Sequence, residues 1–270
     1  MAVITLTTDF GTADGFVGAM KGVILGIAPG AALVDLSHEV PPQDVLAGAL
    51  LLEAACPHFP DETIHLAVVD PGVGGRRAAI AVRTPRALYV GPDNGLLTLI
   101  LDRDPPRNMV RLTNPAFHRH PVSATFHGRD VFAPVAAHLA AGAAFEELGE
   151  PHPSLVRLEV PRPAFADSTA DAHVLHVDRF GNLVLDVTRE AFDAWAPGAG
   201  AFVTIRAGGA QTHGIRRTYS DVAAGALAAY WGSGGRLELA VRNGSAAAAL
   251  GLRTGDRVQI AVEPRRPPDA

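Results

Sequence analysis

A chain of 270 residues is long enough for two domains that each bury a core. With 48% hydrophobic and 19% charged residues it is too apolar to be disordered, and a net charge of −5 without a basic stripe argues against a nucleic-acid partner. The single cysteine, Cys56, rules out an intrachain disulfide and a cysteine-based zinc site.

Met1 to Thr8 lacks the basic flank of a signal peptide and runs into Asp9, so export is not expected. Ala2 to Thr7 reads as a β-branched strand, and Gly15 to Ile27 as a helix with Phe16, Met20, Val23, Ile24 and Ile27 near helical spacing. Ala32 to Leu36 is a second strand, Gln43 to Cys56 a second helix after Pro41 and Pro42, and Ile64 to Val69 a third strand. The nearly uninterrupted apolar run from Val45 to Cys56 carries Glu53 and falls short of the roughly 20 residues of a membrane helix. Ala79 to Arg83, Ala87 to Val90 and Met109 to Leu112 read as further strands, and Val131 to Ala141 as a packed helix. Alternating strands and helices predict an N-terminal α/β domain with a mostly parallel sheet, spanning residues 1–158.

Residues 159–169, rich in proline and small side chains, read as a linker. His173 to Val177, Leu183 to Val187, Phe202 to Arg206, Arg236 to Val241 and Arg257 to Val262 then alternate or are β-branched between glycine turns. They predict a smaller C-terminal antiparallel β-barrel or sandwich over residues 170–265.

In open α/β sheets, ligands collect beyond the carboxyl ends of the strands. Asp9 and Asp70 stand there, suited to ribose hydroxyls, a metal or simple helix capping. The turn Asp70-Pro71-Gly72-Val73-Gly74-Gly75-Arg76-Arg77 lacks the ending of a phosphate loop. It is either a tight glycine turn or a device that folds an arginine back toward Asp70. His127 precedes an expected helix start, with Gly128 leaving space beside it, and His38 is the other histidine of interest. In the second domain, Asp178 to Asn182 and Ser233 to Ala246 read as hairpin turns by composition alone.

Taken together, Thr8-Asp9-Phe10-Gly11-Thr12, Val69 to Gly74 with Arg77, Gly91-Pro92-Asp93-Asn94-Gly95-Leu96-Leu97, Phe126-His127-Gly128-Arg129-Asp130 and Arg242-Asn243-Gly244-Ser245 resemble the S-adenosyl-L-methionine (SAM) hydroxide adenosyltransferase family. That family is related to the SAM-dependent fluorinases and chlorinases. The matches run in order over nearly the whole chain. The resemblance implies hydrolysis of SAM to adenosine and L-methionine, with SAM as substrate, no cofactor and no metal; the lone cysteine fits a reducing cytoplasm, and the short apolar run predicts no membrane partner. The resemblance also implies a homotrimer whose sites lie between the N-terminal domain of one subunit and the C-terminal domain of its neighbour.

Residue by residue, the resemblance makes Asp9 the group that grips the ribose diol, a task for a carboxylate that accepts two hydroxyl hydrogen bonds. Asp14 and Asp178 match contacts to the methionine part, and Ser233 a group near its carboxylate. Asn182 and the Arg242-Asn243-Gly244 stretch match the adenine-edge contacts, with Phe180 and Tyr219 as apolar or stacking walls. The catalytic set falls on Asp70, Arg77 and His127. Halogenases carry a tyrosine where Asp70 stands, so a polarised water suits this chain better than a dry halide pocket. In some relatives an arginine follows the serine aligned with Ser233, whereas this chain has Gly234.

The implied reaction is in-line displacement at the ribose C5′, aided by exclusion of bulk water and alignment of the nucleophile. His127 either takes a proton or orients the water. Three other readings are compatible with the sequence: a chlorinase-like halogenase, a metal-dependent hydrolase using Asp9, Asp70, His38 and His127, and a non-catalytic SAM- or adenosine-binding module.

Overall fold

The computed structural model describes residues 1–199 and 202–262, so the last three residues of the expected second domain, 263–265, lie outside the described residues. The chain divides into two compact units, Met1–Glu159 and Val160–Ala270.

The first unit is built on a seven-stranded sheet of order β2-β1-β3-β5-β4-β6-β7. Its strands are β1 (Val3–Thr8), β2 (Ala32–Ser37), β3 (Thr63–Val68), β4 (Ala79–Arg83), β5 (Ala87–Pro92), β6 (Asn108–Arg111) and β7 (Glu150–Pro151). Strands β2, β1, β3 and β5 run parallel, the half of the sheet that strand–helix alternation foretells. Strands β4, β6 and β7 add an antiparallel edge. Only three residues join β4 to β5, too few for the crossover that parallel pairing requires.

Helix α1 (Phe16–Ile27) buries Val17, Met20 and Ile24 against the sheet, and α2 (Val45–Ala55) starts on the Asp44 side chain, which accepts from Ala47 N. That cap sets the start two residues inside the expected span. A short helix that periodicity does not reveal, α3 (Thr98–Arg103), follows β5. The helix expected over Val131 to Ala141 is a π-turn, Gly128–Phe132, continued by α4 (Ala133–Ala140). Two apolar clusters result. One contains Ile4, Leu6, Met20, Leu66 and Phe132, the other Leu52, Val69, Val82 and Leu96.

The second unit is a nine-stranded, nearly closed sheet of order β12-β11-β16-β9-β10-β15-β14-β13, with β8 added to β9. The strands are β8 (Ala164–Phe165), β9 (Thr169–Val177), β10 (Leu183–Thr188), β11 (Val203–Ala207), β12 (Ala210–His213), β13 (Ile215–Arg216), β14 (Leu227–Trp231), β15 (Arg236–Val241) and β16 (Arg257–Val262). Thr212 Oγ1 donates to Leu227 O at 3.1 Å, tying β12 back to β14. Part of the expected linker is thereby corrected: Ala164 and Phe165 pair with Asp171 and Ala170 in the sheet. Two short helices, α5 (Arg189–Trp195) and α6 (Ala246–Leu250), begin on the capping side chains of Thr188 and Ser245. Around the middle of β10 and β15, Leu183, Leu185, Leu237 and Leu239 are fully buried while Val184 and Glu238 between them face outward.

Candidate active site

In the first unit, parallel strands deliver polar side chains to one edge of the sheet. Thr8 of β1 pairs with Val68 of β3, so Asp9 and Asp70 leave neighbouring strands at nearly the same level. Asp9 Oδ2 accepts from Gln43 N at 2.8 Å, which keeps the carboxylate beside the start of α2.

From Asp70 the chain enters its glycine turn, and of the two readings left open by the sequence the structure has the second. Arg77 folds back so that its Nε stands 3.0 Å from both Asp70 oxygens, while its Nη2 donates to Oδ2 as well. The pair is enclosed, with side-chain exposures of 9% for Arg77 and 4% for Asp70, which strengthens the attraction relative to a surface pair. Nη2 also stands 2.9 Å from His127 Nδ1. Asp70, Arg77 and His127, picked out by resemblance, thus form one connected chain. Gly74 makes this possible: it has φ 72°, and a β-carbon there would stand 2.2 Å from the Ala124 carbonyl oxygen. Only glycine lets the 70–77 turn lie directly on the segment that precedes His127.

An arginine has donors only, so His127 Nδ1 accepts the Arg77 hydrogen bond. Burial lowers the pKa of His127, and the adjacent guanidinium lowers it further, against opposing pulls from Asp70 and Asp130. The ring is therefore neutral at pH 7, with its proton on Nε2. Behind it, Asp130 is fully buried and accepts from Arg129, Arg119 and Ser123 N, fixing both sides of the loop that carries His127.

Gly128 corrects one expectation. It is buried against Phe10 and Met20, and a β-carbon would meet Met20 Sδ at 3.2 Å, so no open space lies there. Phe10, Phe16 and Phe126 pack edge to face beside it, with centroids 5.3–6.0 Å apart. Sequence reasoning missed this aromatic group; its signal was three phenylalanines flanking the Asp9 and His127 motifs. The Gly91 to Leu97 motif is structural: Asn94 Nδ2 donates to Val69 O, and Asp93 accepts from His152 and Val156 N. His38 turns to Thr8 Oγ1 and Asp35, away from the Asp70 chain. Among the described residues no three His, Cys, Asp or Glu side chains gather as a metal site. Asp14 is exposed just before α1.

In the second unit the Asp178 carboxylate closes its own turn: Oδ1 accepts from Phe180 N and Asn182 N, and Oδ2 from Asn182 Nδ2, each at 2.8 Å. Gly181 (φ 80°) lies so close to Ser245 that a β-carbon would stand 2.1 Å from its Oγ. The turn is thereby joined to the Arg242 to Ser245 loop, where Asn243 adopts φ 59°. Arg242 Nη1 donates to the Ser220 and Val222 carbonyls, which holds the turn bearing Tyr219. Ser233 is exposed between β14 and β15, and Phe180 and Tyr219 are 77% and 53% exposed. The 178–182 turn, the Tyr219 turn and the 242–245 loop therefore share supports within the second unit, which their individual compositions did not reveal.

An α/β unit with a polar Asp–Arg–His chain at the carboxyl edge of its parallel strands, joined to a β unit that gathers polar loops, defines a class of small-molecule enzyme. The N-terminal domain of SAM hydroxide adenosyltransferases matches residues 4–149 and the C-terminal domain residues 172–259; the chain belongs to this family. A Thermus thermophilus protein named (R)-S-adenosyl-L-methionine hydrolase is 44% identical, over 96% of this chain and 100% of its own length. A Nocardia brasiliensis fluorinase is 27% identical, over 96% and 97% of the two chains. A crystal structure of an uncharacterized conserved protein from Thermotoga maritima superposes with a TM-score of 0.89 at 34% identity, covering 96% of this chain and 99% of that one.

Proposed function

We propose that this protein hydrolyses SAM, in the (R) form named for its relatives, to adenosine and L-methionine. Water attacks the ribose C5′: a C5′–O bond forms, the C5′–S bond breaks with its electron pair passing to sulfur, and the proton lost from the attacking water passes to solvent water. The leaving group departs as a neutral thioether, so the step calls for neither a Lewis acid nor an electron carrier.

The observation that carries this reading is the Arg77 hydrogen bond to His127 Nδ1. It leaves Nε2–H as the only polar group the ring can offer, so His127 orients the water as a donor and does not take its proton while Arg77 is bound. Arg77 supplies positive charge where the oxygen nucleophile sits, and Asp70 holds Arg77 in place. Asp9 takes the ribose diol, Asp14, Asp178 and Ser233 the methionine part, Asn182 and the Arg242-Asn243-Gly244 stretch the adenine edge, and Phe180 and Tyr219 its faces. The sites lie at the interfaces of a homotrimer, with the first unit of one subunit facing the second unit of its neighbour. Exposed Phe16, Phe180 and Tyr219 fit this, since they offer apolar rings that a neighbouring subunit and the substrate would cover. A cytoplasmic setting suits a chain whose one cysteine is buried and free.

Incubation with SAM in ¹⁸O-labelled water, with and without chloride or fluoride, tests the reaction. Adenosine labelled at the 5′-oxygen, together with methionine, is expected in every arm. A 5′-haloadenosine, or no turnover by folded protein, overturns the reading.

A further inference from the structure

One face of the second unit carries a row with three polar side chains that the family motifs do not include. Strand register places His176, Val184, Glu238 and Tyr230 side by side across β9, β10, β15 and β14. Alternation puts their neighbours Leu183 and Leu239 in the core and turns this row to the other face. Asp178 follows His176 by two residues and Asn182 precedes Val184 by two, so the loop assigned above to the substrate ends on the same face.

Glu238 is the half-buried centre of the row. Its Oε2 accepts from the Tyr230 hydroxyl at 2.7 Å, and its Oε1 lies directly over Gly232, where a β-carbon would stand 1.8 Å away. Gly232 thus leaves the space the carboxylate occupies, beside the turn bearing Ser233. Among the described residues no arginine, lysine or histidine forms an ion pair with Glu238. Burial raises its pKa, and the negative charge of Asp178 raises it further, against the Tyr230 hydrogen bond. A partly buried carboxylate within electrostatic reach of a second negative charge is costly to ionise unless a cation arrives. Beside it in the strand register stand His176 on β9 and Tyr230 on β14, with Tyr219 packed on Tyr230 at 6.1 Å between centroids, and Arg236 lies two residues earlier on β15.

Resting on the hydrolase reading above, we infer that Glu238 is a specificity-determining residue that receives the α-ammonium of SAM together with Asp178. SAM carries two positive centres. The sulfonium must sit at the reacting carbon, which leaves the ammonium at the far end of the methionine chain to neutralise the Asp178–Glu238 pair. Tyr230 holds the carboxylate in position. Recognition of this kind rejects a sulfonium that lacks the amino group, because the two negative charges would then be left without a counter-ion.

The test compares SAM with its des-amino analogue, by turnover and by calorimetric binding, in wild type, Glu238→Gln and Glu238→Asp. The glutamine variant keeps an acceptor for Tyr230 and loses only charge. Wild type should bind SAM at least about tenfold more tightly than the analogue, the worth of a charged hydrogen bond. In Glu238→Gln that ratio should fall by about tenfold through weaker SAM binding, and in Glu238→Asp it should partly recover. Affinity of the wild type for SAM should also rise as pH rises through the titration of Glu238, above the ordinary carboxylate range, and Glu238→Gln should lack this limb. An unchanged ratio in Glu238→Gln, or equal loss for both ligands, overturns the role of Glu238 and leaves the hydrolase reading intact. Failure of wild type to bind SAM overturns both, whereas binding without hydrolysis removes the hydrolase reading alone.

Discussion

Replacing Asp70 by asparagine removes the negative charge from an enclosed ion pair and keeps the shape of the side chain. Arg77, only 9% exposed, would then hold its charge against a neutral amide. Breaking a buried pair by removing one partner costs about 3–5 kcal/mol, and the amide oxygen still accepts one hydrogen bond, so the lower end of that range applies. At about 2–4 °C per kcal/mol for a unit of this size, Tm should fall by about 6–12 °C. The chemical step should suffer separately. A guanidinium without its anchor no longer fixes His127 or the nucleophile, and loss of such preorganised stabilisation lowers rates by about 10²-fold or more. Substrate affinity should stay within about threefold, because Asp70 acts on the nucleophile. Differential scanning fluorimetry, single-turnover adenosine formation and calorimetry with SAM measure the three quantities. A variant with unchanged Tm and full rate would refute the buried anchor, and one that loses affinity while keeping its rate would move Asp70 to the binding machinery.

His127→Asn should lower kcat by about 10²-fold with SAM binding preserved, and calorimetry beside single-turnover rates checks the split. Because the pKa of His127 is lowered and the neutral ring is the competent form, wild-type kcat should fall as pH drops through a value below the ordinary histidine range, and the variant should lose that acid limb. Gly74→Ala should cost about 1–3 kcal/mol and reduce turnover with it, since both its φ and the Ala124 carbonyl oppose a β-carbon; denaturant unfolding and initial rates report this. Asp9→Ala should weaken SAM binding and turnover together, as expected of a contact made in both ground and transition states. Mixing Asp9→Ala with Asn243→Ala subunits should restore part of the activity; no recovery despite proven subunit exchange counts against a shared site.

The parallel half of the first sheet was legible because β-branched strands and helically spaced apolar residues alternate from Ala2 to Val69. Its antiparallel edge was not, since β4 and β5 read as strands whose direction depends on the length of the turn between them. Short helices escaped for another reason. Helices α5 and α6 span seven and five residues, too few for a periodic stripe, although Thr188 and Ser245 carried capping signals. Strand β14, Leu-Ala-Ala-Tyr-Trp, is too rich in alanine to announce itself, and with it went Tyr230. Asp70, Arg77 and His127 were found by resemblance, while their hydrogen bonds depend on Gly74 lying against Ala124, a contact 50 residues apart in the chain. Glu238 sits in a Leu-Glu-Leu alternation that reads as an ordinary solvent-facing position. Only the register of four strands shows what stands beside it.

The π-turn over Gly128–Phe132 has a consequence for how this part of the chain can vary. Ala133 N–H reaches back to Gly128 O, five residues away, so this turn holds one residue more than a regular helical turn. Deleting any one residue from that stretch would let the helix close with ordinary spacing and rotate everything before it by about a quarter turn relative to α4. The helix would gain regular hydrogen bonds, and His127 would leave Arg77. Length in this segment is therefore under a constraint separate from residue identity: substitutions can be absorbed where a single deletion cannot, even one that makes the helix more stable.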